Sequence, residues 1–330
     1  MGPTRVQMQQ LPPLAPSPPL PPSPPALECK SWCAGNDKPW EKKCNWIKCG
    51  NCPQCLLMPP PAPPPPPPRP VLNTLSGFRR VGNWILAGIK DNLSDGAVLE
   101  AAPDGALRFV VVINKPTELR EYTLPATGEP ALAAVYPLTN FVDTEGVALL
   151  RGRAVVLSEE RSGALVEVTL PAVSSGGGVI DRAGASKVHQ TGYGDPSGGV
   201  EGVTYSPEED AFYFLKEKAP SLVLRMDRQP PNAKRTLATV TSVGDVAGIS
   251  HVPGAGPGTD GDRLLVISDK SKQVLLMRPD GTLVGPPLAL SVPTKSKPEG
   301  ISILPLEAGP RDCFLTFSEP AILQKYCGPE

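Results

Sequence analysis

From about residue 90 to the C-terminus, short apolar runs alternate with turns rich in glycine, proline and aspartate. Helical periodicity is almost absent, and the runs contain many β-branched and aromatic residues, which favour strands. The turns Pro103-Asp104-Gly105 and Pro279-Asp280-Gly281 are typical of hairpins. This part of the chain is therefore predicted to be all-β, with antiparallel pairing.

The runs recur with a period of about 50 residues, which indicates a repeat architecture. Each copy begins with a small or acidic element ending in glycine, and then supplies three strands separated by turns. Segments between the copies, such as residues 131–138 and 234–243, can add a fourth, outer strand. The pattern predicts a five-bladed β-propeller, with six blades as the alternative, and residues 83–88 are expected to complete the last blade. The glycines in register are Gly96, Gly146, Gly202, Gly248 and Gly300.

Proline sets the domain organisation, because half of the 44 prolines lie within the first 70 residues. Proline lacks an N–H and has a fixed φ, so these tracts favour extended polyproline II. They are either semi-rigid spacers or docking sites for a polyproline-binding domain of the SH3, WW or profilin type. We expect a disordered proline-rich segment at 1–28, a cysteine-rich module at 29–55, a polyproline linker at 56–72 and the propeller at 73–330.

The predicted module contains six of the eight cysteines and three tryptophans, Trp32, Trp40 and Trp46. So short a segment cannot build an apolar core unaided, so it requires disulfides or a metal. Three disulfides are favoured over a zinc thiolate site at Cys44, Cys49, Cys52 and Cys55, since the cysteines pair evenly and the flanking Ser/Pro tracts have an extracellular character. The tryptophans would either bind carbohydrate or pack over the disulfides. The six cysteines are Cys29, Cys33, Cys44, Cys49, Cys52 and Cys55.

The net charge and the lengths of the apolar runs disfavour several classes of protein. The formal net charge of −1 gives no general attraction for nucleic acid or anionic membranes. No apolar run is long enough for a membrane span. The first residues lack the apolar region of a signal peptide, so the extracellular or cell-surface location favoured by the cysteines implies a start further upstream.

Acidic residues recur at two places in each copy, beside the glycine and at the end of the second strand. Because the second strand runs back antiparallel to the first, these two places meet at one mouth of the central channel. Asp95 belongs to the first set, and Asn114 stands where later copies carry an acid. The remaining members are Glu145, Glu201, Asp245 and Glu299 beside the glycines, and Glu159, Glu217, Asp269 and Glu319 after the second strands.

A ring of carboxylates needs a cation or basic side chains to offset its mutual repulsion. Hard oxygen ligands suit calcium, so we expect a subset of the eight acids to bind calcium. The alternative is that the acids pair with Arg161, Lys216, Lys218 or Lys270, or accept hydrogen bonds from backbone amides.

The repeated motifs resemble the SdiA-regulated (YjiK/CarP-like) β-propeller family over nearly all of residues 75 to 328. The resemblance implies five blades, calcium binding and no established catalytic activity. The cysteine-rich module is similar to short units in algal and dinoflagellate proteins. The motifs that carry the family resemblance are Asp143-Thr144-Glu145-Gly146, Ser158-Glu159-Glu160-Arg161, Val200-Glu201-Gly202, Leu215-Lys216-Glu217-Lys218, Asp245-Val246-Ala247-Gly248, Ile267-Ser268-Asp269, Pro298-Glu299-Gly300 and Phe317-Ser318-Glu319-Pro320.

Other chemistry is sparse. His189 and His251 are the only histidines, which excludes a three-histidine metal site, and a strand position is the simpler interpretation of each. Cys313 and Cys327 can either form a disulfide that closes the last blade or remain buried thiols. We expect a non-catalytic module that binds a small molecule, protein or polysaccharide at its acidic face. The alternatives are a calcium-assisted hydrolase of phosphoesters or lactones and a wall or matrix protein that binds polysaccharide.

Overall fold

In the computed structural model, the described residues are 72–195, 198–254, 261–305 and 311–329. They contain 21 strands in five sheets, antiparallel except for one short added strand, which confirms the five-bladed β-propeller. The predictions for the proline tracts and for Cys29 to Cys55 lie outside the described residues. No helix among the described residues is long and apolar enough to cross a membrane.

The first two blades follow the predicted repeat, with one addition. Blade 1 contains β2 (Leu93–Ala101), β3 (Leu107–Ile113), β4 (Glu118–Leu124) and β5 (Ala131–Thr139). Blade 2 contains β6 (Thr144–Arg151), β7 (Ala154–Glu159), β8 (Ala164–Thr169) and β10 (Lys187–Gln190). Between β8 and β10, short β9 (Ile180–Asp181) pairs in parallel with β5, and two 3₁₀ turns span Val173–Ser175 and Arg182–Gly184.

The next two blades repeat the same order from the axis outwards. Blade 3 contains β11 (Val200–Ser206), β12 (Ala211–Lys216), β13 (Leu222–Asp227) and β14 (Lys234–Thr239). Blade 4 contains β15 (Gly248–Val252), β16 (Arg263–Ser268), β17 (Gln273–Met277) and β18 (Leu288–Ala289).

Blade 5 closes the ring with strands from both ends of the propeller. Strands β19 (Lys297–Ile303), β20 (Cys313–Glu319) and β21 (Ile322–Cys327) are completed by β1 (Arg79–Ile85), which pairs antiparallel to β21. The predicted closing strand is therefore present, although it begins before residue 83. Cys313 and Cys327 face each other across β20 and β21 and form a disulfide.

Each pair of neighbouring blades encloses its own apolar core. Phe109 of blade 1 packs near Phe317 of blade 5, with ring centroids 6.0 Å apart, and Phe314 and Tyr326 extend the core between blades 4 and 5. The other interfaces are filled by aliphatic side chains together with Tyr136, Phe212 and Tyr213. Stability is thus distributed around the ring, so no single interface constitutes the core.

The glycines in register mark where the inner strands approach most closely. A Cβ on Gly202 would lie 2.8 Å from the carbonyl oxygen of Ala247, and a Cβ on Gly248 would lie 2.6 Å from that of Glu299. A Cβ on Gly146 would likewise lie 2.7 Å from the oxygen of Glu201. Glycine is required because backbone from the next blade occupies the space of a side chain.

Side chains also link the inner strands to one another by hydrogen bonds. Val98 N donates to Ser302 Oγ (3.1 Å), Ile303 N to Ser250 Oγ (3.0 Å) and His251 N to Thr204 Oγ1 (3.0 Å). Between blades 1 and 2, Val147 N donates to Asp95 Oδ2 (3.0 Å). Ser158 Oγ donates to the carbonyl oxygen of Glu201 between blades 2 and 3. The neighbouring inner strands are thereby fixed around the channel.

Candidate functional site

An acidic cavity of about 370 Å³ lies at the end of the channel where the inner strands begin. Eight carboxylates and two lysines, Lys218 and Lys297, are among its described lining residues. Asn92, Ser94 and Asn114 contribute neutral polar groups from blade 1. The acids are Glu145, Glu160, Glu201, Glu217, Asp245, Asp269, Glu299 and Glu319.

The repeat itself explains how these acids come together. Glu145, Glu201 and Glu299 each immediately precede a register glycine, at the point where adjacent inner strands converge. Each register glycine pairs with a residue of the second strand of its blade: Gly146 with Ser158, Gly248 with Ile267 and Gly300 with Phe317. Two residues beyond each of these partners lie Glu160, Asp269 and Glu319. Side chains alternate between the two faces of a strand, so an acid two residues after the glycine's partner lies on the same face of the sheet as that partner.

Two groups of three carboxylates are compact enough to hold a cation. Asp143, Glu145 and Glu160 form the first group, and Glu160, Glu201 and Glu217 form the second. Within each group, one oxygen per residue lies within 4.8 Å of the others. Glu160 belongs to both and also accepts a hydrogen bond from Gly199 N (3.2 Å). It therefore connects the acids of blade 2 with those of blade 3.

Burial and mutual repulsion oppose ionisation of the inner acids. Burial raises the pKa of Glu145 to about 7, and the charges of Asp143 and Glu160 add to the effect. Burial raises the pKa of Glu299 to about 8, with Asp269 and Glu319 contributing. The pKa of Glu201 is well above its ordinary value, first because of burial and then because of the surrounding glutamates. A bound cation would relieve this repulsion.

Asp143, which forms a carboxylate group with Glu145 and Glu160, behaves differently. Burial opposes its charge, but hydrogen bonding from Asn114 and the Arg161 guanidinium outweigh that effect and lower its pKa. Asn114 Nδ2 lies 2.9 Å from Asp143 Oδ1 and also donates to Glu145. Asp143 is thus held ionised next to two carboxylates whose pKa values are raised, Glu145 and Glu160.

A family model described as SdiA-regulated matches residues 78–293. This chain belongs to the SdiA-regulated family. The match covers all of blades 1 to 4 and ends before β19, so the last blade of this SdiA-regulated propeller is established by the structure.

Among solved structures, the chain is similar to selenomethionine-substituted virginiamycin B lyase from Staphylococcus aureus. The two share 14% sequence identity with a TM-score of 0.36, and the similarity covers 70% of this chain. The SdiA-regulated chain spans 65% of the length of that lyase.

Seven of the eight acids predicted as calcium candidates line the cavity. The exception is Glu159, which has no exposed side-chain surface and forms an ion pair with Arg182, Nε to Oε1 2.9 Å. It also accepts hydrogen bonds from Val142 N and Ser162 Oγ. Its neighbour Glu160 lines the cavity instead.

Asp95 does not line the acidic cavity with the other acids. It is 1% exposed, and Val147 N donates to its Oδ2. Burial raises the pKa of Asp95 well above its ordinary value, against the opposing effect of backbone hydrogen bonds such as that from Val147. Its position indicates a role in joining the inner strands.

Several acids of the SdiA-regulated propeller have the partners that the alternative interpretation expects. Arg161 Nε lies 2.6 Å from Asp143, and Lys218 lies 3.1 Å from Glu217. Asp245 accepts hydrogen bonds from Ser268 Oγ and from the backbone N of Lys270. Lys272 pairs with Asp269, and Lys297 pairs with Glu319. The lysine and arginine partners therefore belong mainly to acids outside the inner strands. The glutamates that precede the register glycines are the ones most crowded by negative charge.

Three residues of the site were missed from the predicted set of ligands: Asp143, Glu160 and Asn114. Asp143 and Glu160 both occur in the family motifs, but neither was assigned to the channel. Glu160 lies two residues after Ser158, the strand partner of Gly146, and this pairing comes from the structure. The two histidines occupy strands, as expected: His189 is buried against Glu167 (2.8 Å), and His251 lies on β15.

Proposed function

We propose that the protein is a calcium-dependent binding module whose ligand engages the acidic end of the channel. The observation that carries the proposal is the sharing of Glu160 by two carboxylate groups, each with oxygens within 4.8 Å of one another. Carboxylate oxygens in such numbers suit calcium, which accepts six to eight oxygen ligands, better than metals that prefer nitrogen or sulfur.

The residues that would hold the ion are Glu160 with Glu145 and Asp143, or Glu160 with Glu201 and Glu217. Calcium would supply positive charge and open coordination positions for oxygen atoms of a ligand. The protein's own contribution is to fix Glu145 and Glu201 on closely packed inner strands, since the Cβ of a larger residue at Gly146 or Gly202 has no room. Lys218 and Lys297 at the cavity supply cationic contacts for anionic or polar ligand groups.

The test is a calorimetric titration of the chelator-treated full chain with calcium and, separately, with magnesium. Glu201→Gln and Asp143→Asn each remove a carboxylate from one group, and the group that holds the ion loses calcium affinity by at least about tenfold, a difference of about 1.4 kcal/mol. Glu129→Gln, at an exposed loop, is the matched control and retains full affinity. Absence of calcium binding to the parent chain, or equal affinity in all variants, would refute the proposal.

A hydrolase is the second candidate, and one observation favours it. The pKa of Glu145, raised to about 7 by burial and neighbouring charge, suits proton transfer near neutral pH. Hydrolysis of phenyl phosphate or a simple lactone that needs calcium and is lost in Glu145→Gln would support this activity. Calcium binding without turnover of either substrate would count against the hydrolase and support the binding module.

We also propose an extracellular or cell-surface location, supported by the Cys313–Cys327 disulfide, since such bonds persist in oxidising compartments. The N-terminal cysteine-rich module would then act as a second binding unit on a proline-rich tether, which raises its local concentration at a shared target. Mass spectrometry of unreduced protein from its native source tests the location, because free Cys313 and Cys327 would contradict it.

A further inference from the structure

The channel has a second cavity, of about 300 Å³, lined by the parts of the inner strands that follow the glycines. Its wall is largely aliphatic, with contributions from all five blades. Leu149 and Ile303 are half-buried side chains in this wall, on blades 2 and 5. The other aliphatic positions include Val98, Val203, Ile249 and Leu304.

Several polar side chains of this wall help to hold the ring together. Ser302 Oγ, Ser250 Oγ and Thr204 Oγ1 each accept a backbone N–H from the neighbouring inner strand at 3.0 to 3.1 Å. Tyr205 Oη donates to Asp210 at 2.7 Å. These contacts use one acceptor position of each of the three hydroxyls, and His251, also among the lining residues, has its Nε2 3.5 Å from Asp262 Oδ2. The remaining surface is mainly apolar.

The cavity also has a distinct charge environment. Glu208 and Asp312 are among its described lining residues, whereas neither lysine nor arginine is. An anionic guest is disfavoured, because its charge would be poorly solvated against the apolar wall and no described lysine or arginine lines the cavity to pair with it. Apolar cavities of this kind gain affinity by removing apolar ligand surface from water.

We infer that this cavity binds a small, uncharged apolar molecule, at a site separate from the acidic cavity. The volume of about 300 Å³ is at the lower end of the range for ligand pockets, which limits the guest to a compact molecule. The site does not depend on calcium, because its lining shares no residue with the two carboxylate groups.

Two fluorescent probes with the same ring skeleton test the inference on the full chain in chelator. N-phenyl-1-naphthylamine is uncharged, and 8-anilinonaphthalene-1-sulfonate adds one negative charge. The uncharged probe binds saturably at one equivalent, and the sulfonate binds at least about fivefold more weakly, a difference of roughly 1 kcal/mol.

Variants on two blades locate the bound probe. Leu149→Gln and Ile303→Asn each place a polar group in the apolar wall and weaken binding of the uncharged probe by at least about fivefold, because apolar burial is lost. Leu132→Gln, at a 44% exposed position on β5, is the matched control and leaves affinity unchanged. Circular dichroism confirms that each variant is folded before titration.

Three outcomes would overturn the inference: no saturable binding of the uncharged probe, equal or tighter binding of the sulfonate, or unchanged affinity in a folded Leu149→Gln or Ile303→Asn variant. Glu201→Gln separates this site from the proposed function. It leaves probe binding unchanged even where it abolishes calcium binding.

Discussion

Glu160 and Glu201 belong to neighbouring blades, yet oxygens of their carboxylates lie within 4.8 Å of each other. Burial raises the pKa of Glu201 and the charge of Glu160 adds to this effect, so without a cation the pair opposes the packing of blades 2 and 3. A cation between them would turn this unfavourable contact into a stabilising one. The predictions below follow from this relationship and from the strands that impose it.

Glu159 is the last residue of β7 and Glu160 follows it, and neutralising each should change the free energy of unfolding in opposite directions. In chelator, Glu159→Gln removes the partner of Arg182 and lowers the free energy of unfolding by about 2 kcal/mol, below the value for a fully buried pair because Arg182 is 28% exposed. Glu160→Gln relieves repulsion and raises it by about 1 kcal/mol. Urea unfolding measures both, and loss of stability in Glu160→Gln would contradict the electrostatic account.

The raised pKa values predict the pH dependence of stability without calcium. In the folded chain Glu145 and Glu299 have pKa values of about 7 and about 8, against an ordinary value of 4.5. Between these limits the folded state binds more protons than the unfolded state, so stability falls as the pH rises from about 5 to about 8 and then levels off. Urea midpoints in chelator measure the fall.

The double variant Glu145→Gln/Glu299→Gln is the companion to that experiment. It removes both titrating groups and should flatten the decline between about pH 5 and about pH 8. Glu129→Gln keeps the parent slope. An unchanged slope in the double variant would show that other groups dominate this pH range.

The register glycines should tolerate no added side chain. Gly202→Ala would place a Cβ 2.8 Å from the Ala247 oxygen and should lower the free energy of unfolding by about 2 kcal/mol, since backbone must move. Gly184→Ala is the matched control, because no atom lies within 4 Å of its Cβ position. Equal stability of the two variants in urea would contradict close contact between the inner strands.

The disulfide should contribute to closure of the ring. Replacing Cys313 and Cys327 together by alanine releases a loop spanning 14 residues and should lower the free energy of unfolding by about 3 kcal/mol. The double variant is preferable to a reductant, which would also act on the other six cysteines. Unfolding of the variant at the parent urea concentration would show that β1 and β21 close the blade without the covalent link.

The repeat made the fold predictable, because each copy carries a glycine in register followed by strands of similar length. The inner acids could be predicted for the same reason, since Glu145, Glu201 and Glu299 share one position relative to that glycine. The closing strand could be predicted because residues 83–88 form an apolar run that precedes the first copy of the repeat, and the last blade lacked a fourth strand.

Pairing register explains why Glu160, and not Glu159, lines the cavity. The sequence Ser158-Glu159 looks equivalent to Ser268-Asp269, but Gly146 pairs with Ser158 whereas Gly248 pairs with Ile267. A shift of one residue turns a side chain to the other face of a strand, and it exchanges Glu159 for Glu160 at the cavity. Register across a hairpin depends on backbone pairing, which similarity between copies does not reveal.

Polar contacts between blades were beyond the reach of sequence. Glu121 is fully buried between Arg108 and Arg153, and Glu167 is held by His189 and Arg228. Partners such as Glu167 and Arg228 are far apart in the chain and meet only when blades 2 and 3 pack together. No local spacing could therefore distinguish these structural acids from those of the cavity.

Thermal unfolding of the full chain in chelator, and then in millimolar calcium or magnesium, tests the central claim most directly. If calcium binds at Glu160, saturating calcium raises the midpoint of the propeller transition by about 5 to 10 °C. The rise persists in Glu159→Gln, measured from its own lower baseline, and is lost in Glu160→Gln. No rise with calcium, or the same rise in Glu160→Gln, would contradict the account and leave the acidic cavity without its proposed ion.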